Sequence, residues 1–178
     1  VMYGTGLGTW GTLVNEDNFL SYPSTSGQMT YDGHALYLRA QCHDPEIGRA
    51  RARAGETTGD IWADDCVRVS IALPVSGGST QLRDFYVNAA GVRRTVVDGR
   101  QTQEARWSAQ VARADRLDAR LWAVRVAIPW VSLGLQAPPE ALRANVFRHV
   151  TTTERMSVHY WAPTFGPLDR TDRYAAIT

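Results

Sequence analysis

Apolar and polar residues alternate along several short segments of this chain, and this alternation limits the folds it can adopt. A period of two residues is typical of strands with one buried face, because successive side chains of a strand point to opposite sides of the sheet. Clusters of Gly, Pro, Asp and Ser separate the segments, and none of them keeps the 3.6-residue period of an amphipathic helix. The alternating segments are residues 35–42, 66–73, 84–89 and 121–128, with a further strand expected at 144–152. The pattern predicts an all-β fold, an antiparallel, immunoglobulin-like β-sandwich with long loops.

Two stretches depart from the alternation. Residues 45–59 are rich in Arg and Ala, which allows a helical turn, but Gly48, Gly55 and Gly59 favour a long exposed loop. Residues 129–134 begin with Pro and end with Gly, the order that starts and stops a short helix. We therefore expect one turn of helix directly after the strand at 121–128.

Length and charge set further limits. A chain of 178 residues suits one sandwich and is short for two, so residues 1–178 are predicted to form a single domain. The formal net charge is +1, although every cationic residue is Arg, and this balance favours neither nucleic acid nor a membrane surface as a partner. No stretch approaches the roughly 18 apolar residues of a transmembrane span. The chain opens without a signal-peptide pattern, and we interpret it as a domain taken from a larger multidomain protein.

The sequence offers no recognisable catalytic apparatus. Glycoside hydrolysis needs two carboxylates held across a cleft, whereas the acidic residues here are mostly Asp in turns. A nucleophile elbow of the form Gly-x-Ser-x-Gly is absent. The glycine run at 4–8 has neither a preceding strand nor a following helix, so it does not indicate a phosphate loop. We predict a binding domain that is not an enzyme.

Several short motifs follow one another in a fixed order from Tyr31 to the C-terminus. They lie at 31–38, at Asp44, and at 62–69, 85–88, 122–130, 145–148 and 160–163. Together they resemble the family 9 carbohydrate-binding modules and the wider DOMON-like β-sandwich group, and the run at 122–130 is the most diagnostic. The resemblance implies a non-catalytic module of a secreted, extracellular protein. Such a module would bind a polysaccharide or oligosaccharide as its ligand and be attached to a carbohydrate-active enzyme.

The resemblance also implies a sugar site. In the modules that bind sugar, two Trp side chains hold the end of a glycan between them, and the matching positions here are Trp62 and Trp161. Asn88 matches a position used for sugar contact, and Tyr86 stands where an Arg can occur. Either Trp could instead anchor a loop or the core, as we expect for Trp10, Trp107 and Trp122.

Two arginines depart from the family pattern. Arg68 and Arg125 stand where the family usually carries Glu, so a hydrogen-bond acceptor for sugar hydroxyls is replaced by a donor. Arg39 shares their outward parity, and the three are predicted to line one sheet face. A cationic face indicates an acidic, uronate-bearing glycan or a lost sugar site, and solvated arginines paired with nearby carboxylates are the alternative.

Aspartates around the loop at 45–59 raise the question of calcium. Hard oxygen ligands on loops suit Ca²⁺, and the resemblance implies a structural calcium, held here by Asp44, Asp60, Asp64 and Asp65. The spacing matches no EF-hand, and solvated turns are the alternative interpretation. No other cofactor is required.

Cys42 and Cys66 flank the same loop, and the sequence does not decide whether they form a disulfide. The extracellular setting favours a bond between them, but their opposite parities oppose it, because cross-strand neighbours share a face. Two functions therefore stay open: a glycan-binding accessory module, and a structural or partner-binding DOMON-like domain that has lost its sugar site.

Overall fold

The computed structural model describes residues 9–10, 13, 24–44, 52–53, 59–75, 77–103, 106–116, 119–151, 156–165 and 167–177. Within these residues it contains three short 3-10 helices, Ile61–Ala63, Trp130–Leu133 and Thr171–Arg173, and no helix long and apolar enough to span a membrane. The strands are β1 (Thr9–Trp10), β2 (Thr25–Tyr31), β3 (Ala35–His43), β4 (Cys66–Pro74), β5 (Thr80–Asn88), β6 (Arg93–Val97), β7 (Arg100–Thr102), β8 (Ser108–Arg116), β9 (Ala119–Pro129), β10 (Leu142–Thr151), β11 (Met156–Tyr160) and β12 (Ala175–Ile177).

The strands form two antiparallel sheets. The five-stranded sheet has the order β1-β2-β3-β9-β8, and the seven-stranded sheet has the order β11-β10-β4-β5-β6-β7, with β12 also paired to β10. Each sheet contributes one apolar face to a shared core, which is the arrangement of a β-sandwich. The predicted fold class is confirmed, and all five predicted strands are present.

The inward parity of these strands is also confirmed. Leu38 and Ala40 of β3 and Val124 of β9 pack in the same core as Val69 of β4 and Phe85 of β5. A slip of one residue in any of these strands would move its whole apolar set out of the core, so burial fixes the register. Trp107 and Trp122 lie in this core as predicted, and the side chain of Trp10 lies outside the described residues.

The turn after β9 follows the predicted order. Pro129 precedes the 3-10 helix Trp130–Leu133, and Gly134 ends it with a left-handed φ of 76°. Glycine adopts this conformation at no steric cost, which explains its position after the helix. Of the stretch 45–59 only Ala52, Arg53 and Gly59 are described, so the prediction of a long loop falls mostly outside the described residues.

The outer face of the seven-stranded sheet is covered rather than solvated. Arg68 and Tyr86 point outward as predicted but are only 6% exposed. Tyr174, which follows the last 3-10 helix, packs over this face against Phe147 and Tyr160. The C-terminal segment therefore forms a partial third layer.

The prediction that three arginines line one face is wrong. Arg39 of β3 and Arg125 of β9 are direct partners in the five-stranded sheet. Arg68 belongs to β4 of the seven-stranded sheet. The alternation correctly predicted that each of these residues lies on the outward side of its strand. It does not show to which sheet a strand belongs, because that depends on pairing between strands distant in sequence.

Cys42 and Cys66 are free thiols, both buried. They lie in different sheets, on β3 and β4, and Cys42 faces the main core whereas Cys66 belongs to a small cluster with Tyr86. The strands that carry them do not pair, which removes the geometric basis for the disulfide alternative.

Candidate functional site

Trp62 is a large apolar side chain in the surface of the seven-stranded sheet, 41% exposed. It sits in the middle of the 3-10 helix Ile61–Ala63, where the fully buried Ile61 anchors the helix and turns the next side chain outward. The indole meets the Tyr86 ring edge-on, with ring centroids 6.4 Å apart and an interplanar angle of 62°. Tyr86 itself is buried, so the indole rests on a rigid base and leaves part of its surface open.

Tyr86 is part of a row that crosses the sheet in register. From β6 to β11 the row contains Arg94, Tyr86, Arg68, Phe147 and Tyr160, each a direct partner of the next. The Arg68 guanidinium lies 4.7 Å from the centre of the Phe147 ring and 5.6 Å from that of Tyr86. Phe147 and Tyr160 then meet edge to face, with their centroids 5.6 Å apart. A planar cation between two rings is a favourable arrangement, and it holds both rings in place.

The charge of Arg68 is balanced inside the protein. Asp84, one row further along the sheet, accepts hydrogen bonds from Nε of Arg68 at 3.0 Å and from Ser70 Oγ at 2.5 Å, and Nη2 of Arg68 lies 3.0 Å from the same oxygen. Burial acts to lower the pKa of Arg68, but the charge and hydrogen bond of Asp84 together with the Tyr86 and Tyr174 phenols outweigh burial, and the pKa is raised. Arg68 is therefore a charged, paired residue beneath the surface, and a ligand would have to displace Asp84 to use the donors of Nε and Nη2 that face it.

Two further groups under the surface are held neutral. Burial raises the pKa of the Tyr86 phenol. Burial, together with the charges of Arg68 and Arg148, lowers the pKa of His149 to about 3. The His149 ring lies 6.1 Å from that of Tyr86 on the same face. The layer behind Trp62 is thus apolar or neutral, apart from the Arg68–Asp84 pair and the buried Arg94, which donates to the Gly59 carbonyl.

Asn88 holds a turn with its side chain. Its Oδ1 accepts hydrogen bonds from the backbone N–H groups of Ala90 and Val92, and its Nδ2 donates to Asp64 at 2.9 Å. The residue is fully buried at the end of β5. These bonds use the amide groups that a sugar contact would need.

Trp161 follows directly after β11, where its backbone N–H donates to the carbonyl of Val146. The Asn145 side chain fixes the next residue, donating to the carbonyl of Ala162 at 2.7 Å and accepting from its N–H. The Trp161 side chain is half-buried and packs against the main core, whereas Trp62 contacts Tyr86 on the outer face. The pairing of the two indoles around a sugar stays a prediction.

The four aspartates that were predicted to bind calcium have different surroundings in the structure. Asp65 accepts a hydrogen bond from Nη2 of the buried Arg148 at 2.9 Å, and Asp44 lies 3.8 Å from the same atom. Asp64 accepts from the backbone of Arg53 and from Asn88. Asp60 is exposed.

Within the described part of the chain no three acidic, His or Cys residues form a group that could hold a metal. Carboxylate oxygens of Asp64 and Asp65 already accept hydrogen bonds from protein N–H groups. Calcium binding stays a prediction of the sequence.

Arg125, the remaining predicted contact residue, lies on the opposite side of the molecule. It is exposed beside Arg39 on the outer face of the five-stranded sheet. The predicted site residues thus divide into four groups: Trp62, Tyr86 and Arg68 together, Asn88 buried in its turn, Trp161 at the core, and Arg125 on the other sheet. The sequence interpretation missed Asp84, Phe147 and His149, although their outward parity on β5 and β10 could have indicated them.

Comparison with known proteins identifies the fold. No family model matches the sequence, and no curated protein matches it. Among solved structures, a candidate carbohydrate-binding protein from Bacteroides uniformis superposes with a TM-score of 0.71 at 17% identity, covering 96% of this chain and 85% of the other.

A family 9 carbohydrate-binding module from Caldicellulosiruptor kristjanssonii, solved with cellotriose, superposes with a TM-score of 0.62 at 12% identity. The superposition covers 87% of this chain and 74% of the module. At such identities the likeness shows a shared fold. The chain has the β-sandwich of the family 9 type that its motifs predicted.

Proposed function

We propose that this protein is a non-catalytic carbohydrate-binding module whose glycan packs on the exposed indole of Trp62. The observation that carries the proposal is an indole 41% exposed on a base of buried rings, in a fold shared with a cellotriose-binding module. An exposed Trp that is already held in place loses little side-chain freedom when a ligand packs on it.

The physical basis is the apolar face of a pyranose ring. Its C–H bonds pack on the indole and bury apolar area worth roughly 25 cal/mol per Å². Hydroxyl hydrogen bonds largely replace bonds to water, so each contributes only about 1 kcal/mol net. Stacking on Trp62 therefore supplies most of the affinity.

In this proposal Trp161 supplies the second apolar wall. Asn145 fixes the backbone next to Trp161, and the Trp161 side chain is only partly buried, which supports the assignment. We place the module in a secreted, polysaccharide-active protein as an accessory domain. Arg68 and Asn88 support the site from beneath, since both already bind protein groups.

One observation favours the second candidate, a structural or partner-binding domain. Two polar residues that the resemblance assigned to sugar hydroxyls, Arg68 and Asn88, are buried and used internally. In that case Trp62 would contact another domain or protein instead of a sugar. The two functions differ in whether any glycan binds.

The test is isothermal titration calorimetry with cellotriose and a panel of neutral and acidic oligosaccharides. Trp62→Ala is expected to weaken binding by about tenfold or more, because truncating a central aromatic contact commonly costs this much. Val131→Ala, which removes an exposed apolar side chain from the helix after β9, is the matched control and should bind as wild type. Circular dichroism should show both variants folded.

Glycan binding that is unchanged in Trp62→Ala would mean that Trp62 lies outside the site. Absence of binding to every glycan, in a folded wild-type protein, would favour the partner-binding domain. A Trp62→Ala variant that does not fold would be replaced by Trp62→Gln, whose amide occupies part of the indole's space without offering a stacking surface.

A further inference from the structure

The outer face of the five-stranded sheet carries a row of four long polar side chains in register. Gln28 of β2, Arg39 of β3, Arg125 of β9 and Gln110 of β8 are successive direct partners. All four are exposed. Their neighbours on the strands, such as Met29, Leu38 and Val126, point the other way into the core. The row therefore lies wholly on the solvent side, away from Trp62.

The two arginines stand directly opposite one another. Facing side chains of an antiparallel pair are about 5 Å apart at Cβ, and like charges in this position repel. Among the ion pairs seen between described residues, none involves Arg39 or Arg125. Asp32, which follows β2 at the edge of this face, accepts hydrogen bonds from Tyr37 and from the backbone of residues 34 and 35.

The surroundings of the row are flat and polar. On the same face Arg39 has Tyr37 and Gln41 as its neighbours along β3, both partly buried. The other members of the two adjacent rows have small side chains: Ser26, Ala123 and Ala112 in one row, and Thr30, Ala127 and Ser108 in the other. Arg125 therefore stands between two alanines on β9, and both arginines are exposed. A bound anion would meet up to ten N–H donors, and the glutamines at each end could bind hydroxyl groups.

We propose that Arg39 and Arg125 form a second binding site, which takes the carboxylate groups of a uronate-bearing polysaccharide. Guanidinium groups bind carboxylates with two parallel hydrogen bonds, and a carboxylate between them removes their mutual repulsion. The site rests on the proposed function only in taking a sugar polymer as its ligand. In this proposal the acidic groups of the glycan are bound by Arg39 and Arg125 and not by Arg68, because Asp84 already balances the charge of Arg68.

A sugar polymer fits this face better than a nucleic acid does. Nucleic-acid sites combine a clustered basic patch with aromatic rings on which bases stack. The only aromatic side chain that the described strands place on this face, Tyr37, is hydrogen-bonded to Asp32, and the net charge of the chain is +1. Two arginines flanked by glutamines match instead a ligand with sparse carboxylates and many hydroxyls.

The test compares two double variants with equal charge. Arg39→Gln/Arg125→Gln removes the proposed site, and Arg100→Gln/Arg173→Gln removes two exposed arginines elsewhere. Binding to polygalacturonate, to inorganic sulfate, to cellotriose and to a DNA duplex is measured by calorimetry at low and high salt. We expect Arg39→Gln/Arg125→Gln to weaken polygalacturonate binding by about tenfold or more, with the control pair within about twofold of wild type.

Added salt should weaken wild-type binding through screening. The Arg39→Gln/Arg125→Gln variant should melt no lower than wild type, because a repulsion has been removed. Cellotriose binding should be unchanged in this variant and weakened by about tenfold or more in Trp62→Ala, so a failure of one proposed site can be distinguished from a failure of the other.

Four results would overturn the inference. The first is that Arg39→Gln/Arg125→Gln keeps its affinity for polygalacturonate. The second is that the control pair loses as much affinity, which would show that binding depends on the overall charge of the protein and not on these two arginines. DNA binding that depends on the same two arginines would identify a nucleic acid as the ligand. Sulfate binding as tight as polygalacturonate binding would reduce the site to one for small anions.

Discussion

The buried pair of Arg68 and Asp84 allows a quantitative test of the layer beneath Trp62. Both side chains are 7% exposed, and one carboxylate oxygen of Asp84 accepts hydrogen bonds from Arg68 Nε and the Ser70 hydroxyl and lies 3.0 Å from Arg68 Nη2. Replacing Asp84 with Leu leaves the cation buried between the rings of Tyr86 and Phe147 without its counter-charge. Breaking a buried pair in this way typically costs about 3–5 kcal/mol of folding free energy.

For a domain of this length 1 kcal/mol corresponds to about 2–4 °C in Tm, so Asp84→Leu should lower Tm by about 6–20 °C. Arg68→Met should cost a similar amount. The double variant Arg68→Met/Asp84→Leu should recover much of the loss, because apolar side chains of similar volume replace a buried pair at little or no cost. We expect a coupling free energy of at least about 2 kcal/mol between the two positions.

Urea denaturation followed by circular dichroism gives the free energies of unfolding for the four proteins. Asp172→Asn is the control, since Asp172 forms an exposed pair with Arg170 at 2.9 Å and should leave the unfolding midpoint nearly unchanged. Single-variant losses below about 1 kcal/mol that simply add in the double variant would refute the reasoning. Arg68 would then be solvated and free to contact a ligand.

Three further predictions concern protons, thiols and calcium. The pKa of His149 is about 3 in the folded protein, against about 6.5 in the unfolded chain. The unfolded chain therefore binds more protons than the folded protein as the pH falls below 6.5. The free energy of unfolding should stay constant above this pH and fall by about 2 kcal/mol at pH 5. His149→Gln should reduce this loss of stability at low pH, whereas the control His43→Gln, at an exposed position, should not. Identical profiles of stability against pH for wild type and His149→Gln would contradict the low pKa of His149. Cys42 and Cys66 are buried, and burial raises the pKa of both thiols. A thiol reagent should therefore modify no cysteine in the native protein and two cysteines in urea. No modified cysteine in urea would indicate a disulfide. The sequence prediction of structural calcium requires a higher Tm with Ca²⁺ that a chelator reverses, and equal melts would remove calcium from the account.

Much of the fold followed from local pattern. The two-residue period placed the strands because each buries one face in the core, and Pro129 and Gly134 marked the short helix because their backbone preferences are intrinsic. The burial of Arg68 did not follow, since it depends on Tyr174, more than 100 positions away, packing over the sheet. Local alternation identifies the two faces of a strand but does not show whether a later segment covers the outer one.

The candidate site was predictable only in part. Trp62 could be identified from its motif, and its exposure agrees with a role at the surface. The function of Asn88 depends on the positions of the backbone N–H groups of its own turn and on Asp64, which no spacing rule supplies. The separation of Arg125 from Arg68 likewise depends on which strands pair, and strand pairing is set by contacts distant in sequence.

The most direct test of the central claim is an indole NMR titration of the ¹⁵N-labelled protein with cellotriose. The Trp62 indole N–H resonance is identified by its absence from the spectrum of Trp62→Phe. We expect this resonance to shift progressively with ligand, together with that of Trp161, while those of the core residues Trp107 and Trp122 stay in place. Saturable cellotriose binding that leaves the Trp62 resonance unmoved would contradict the proposed stacking site.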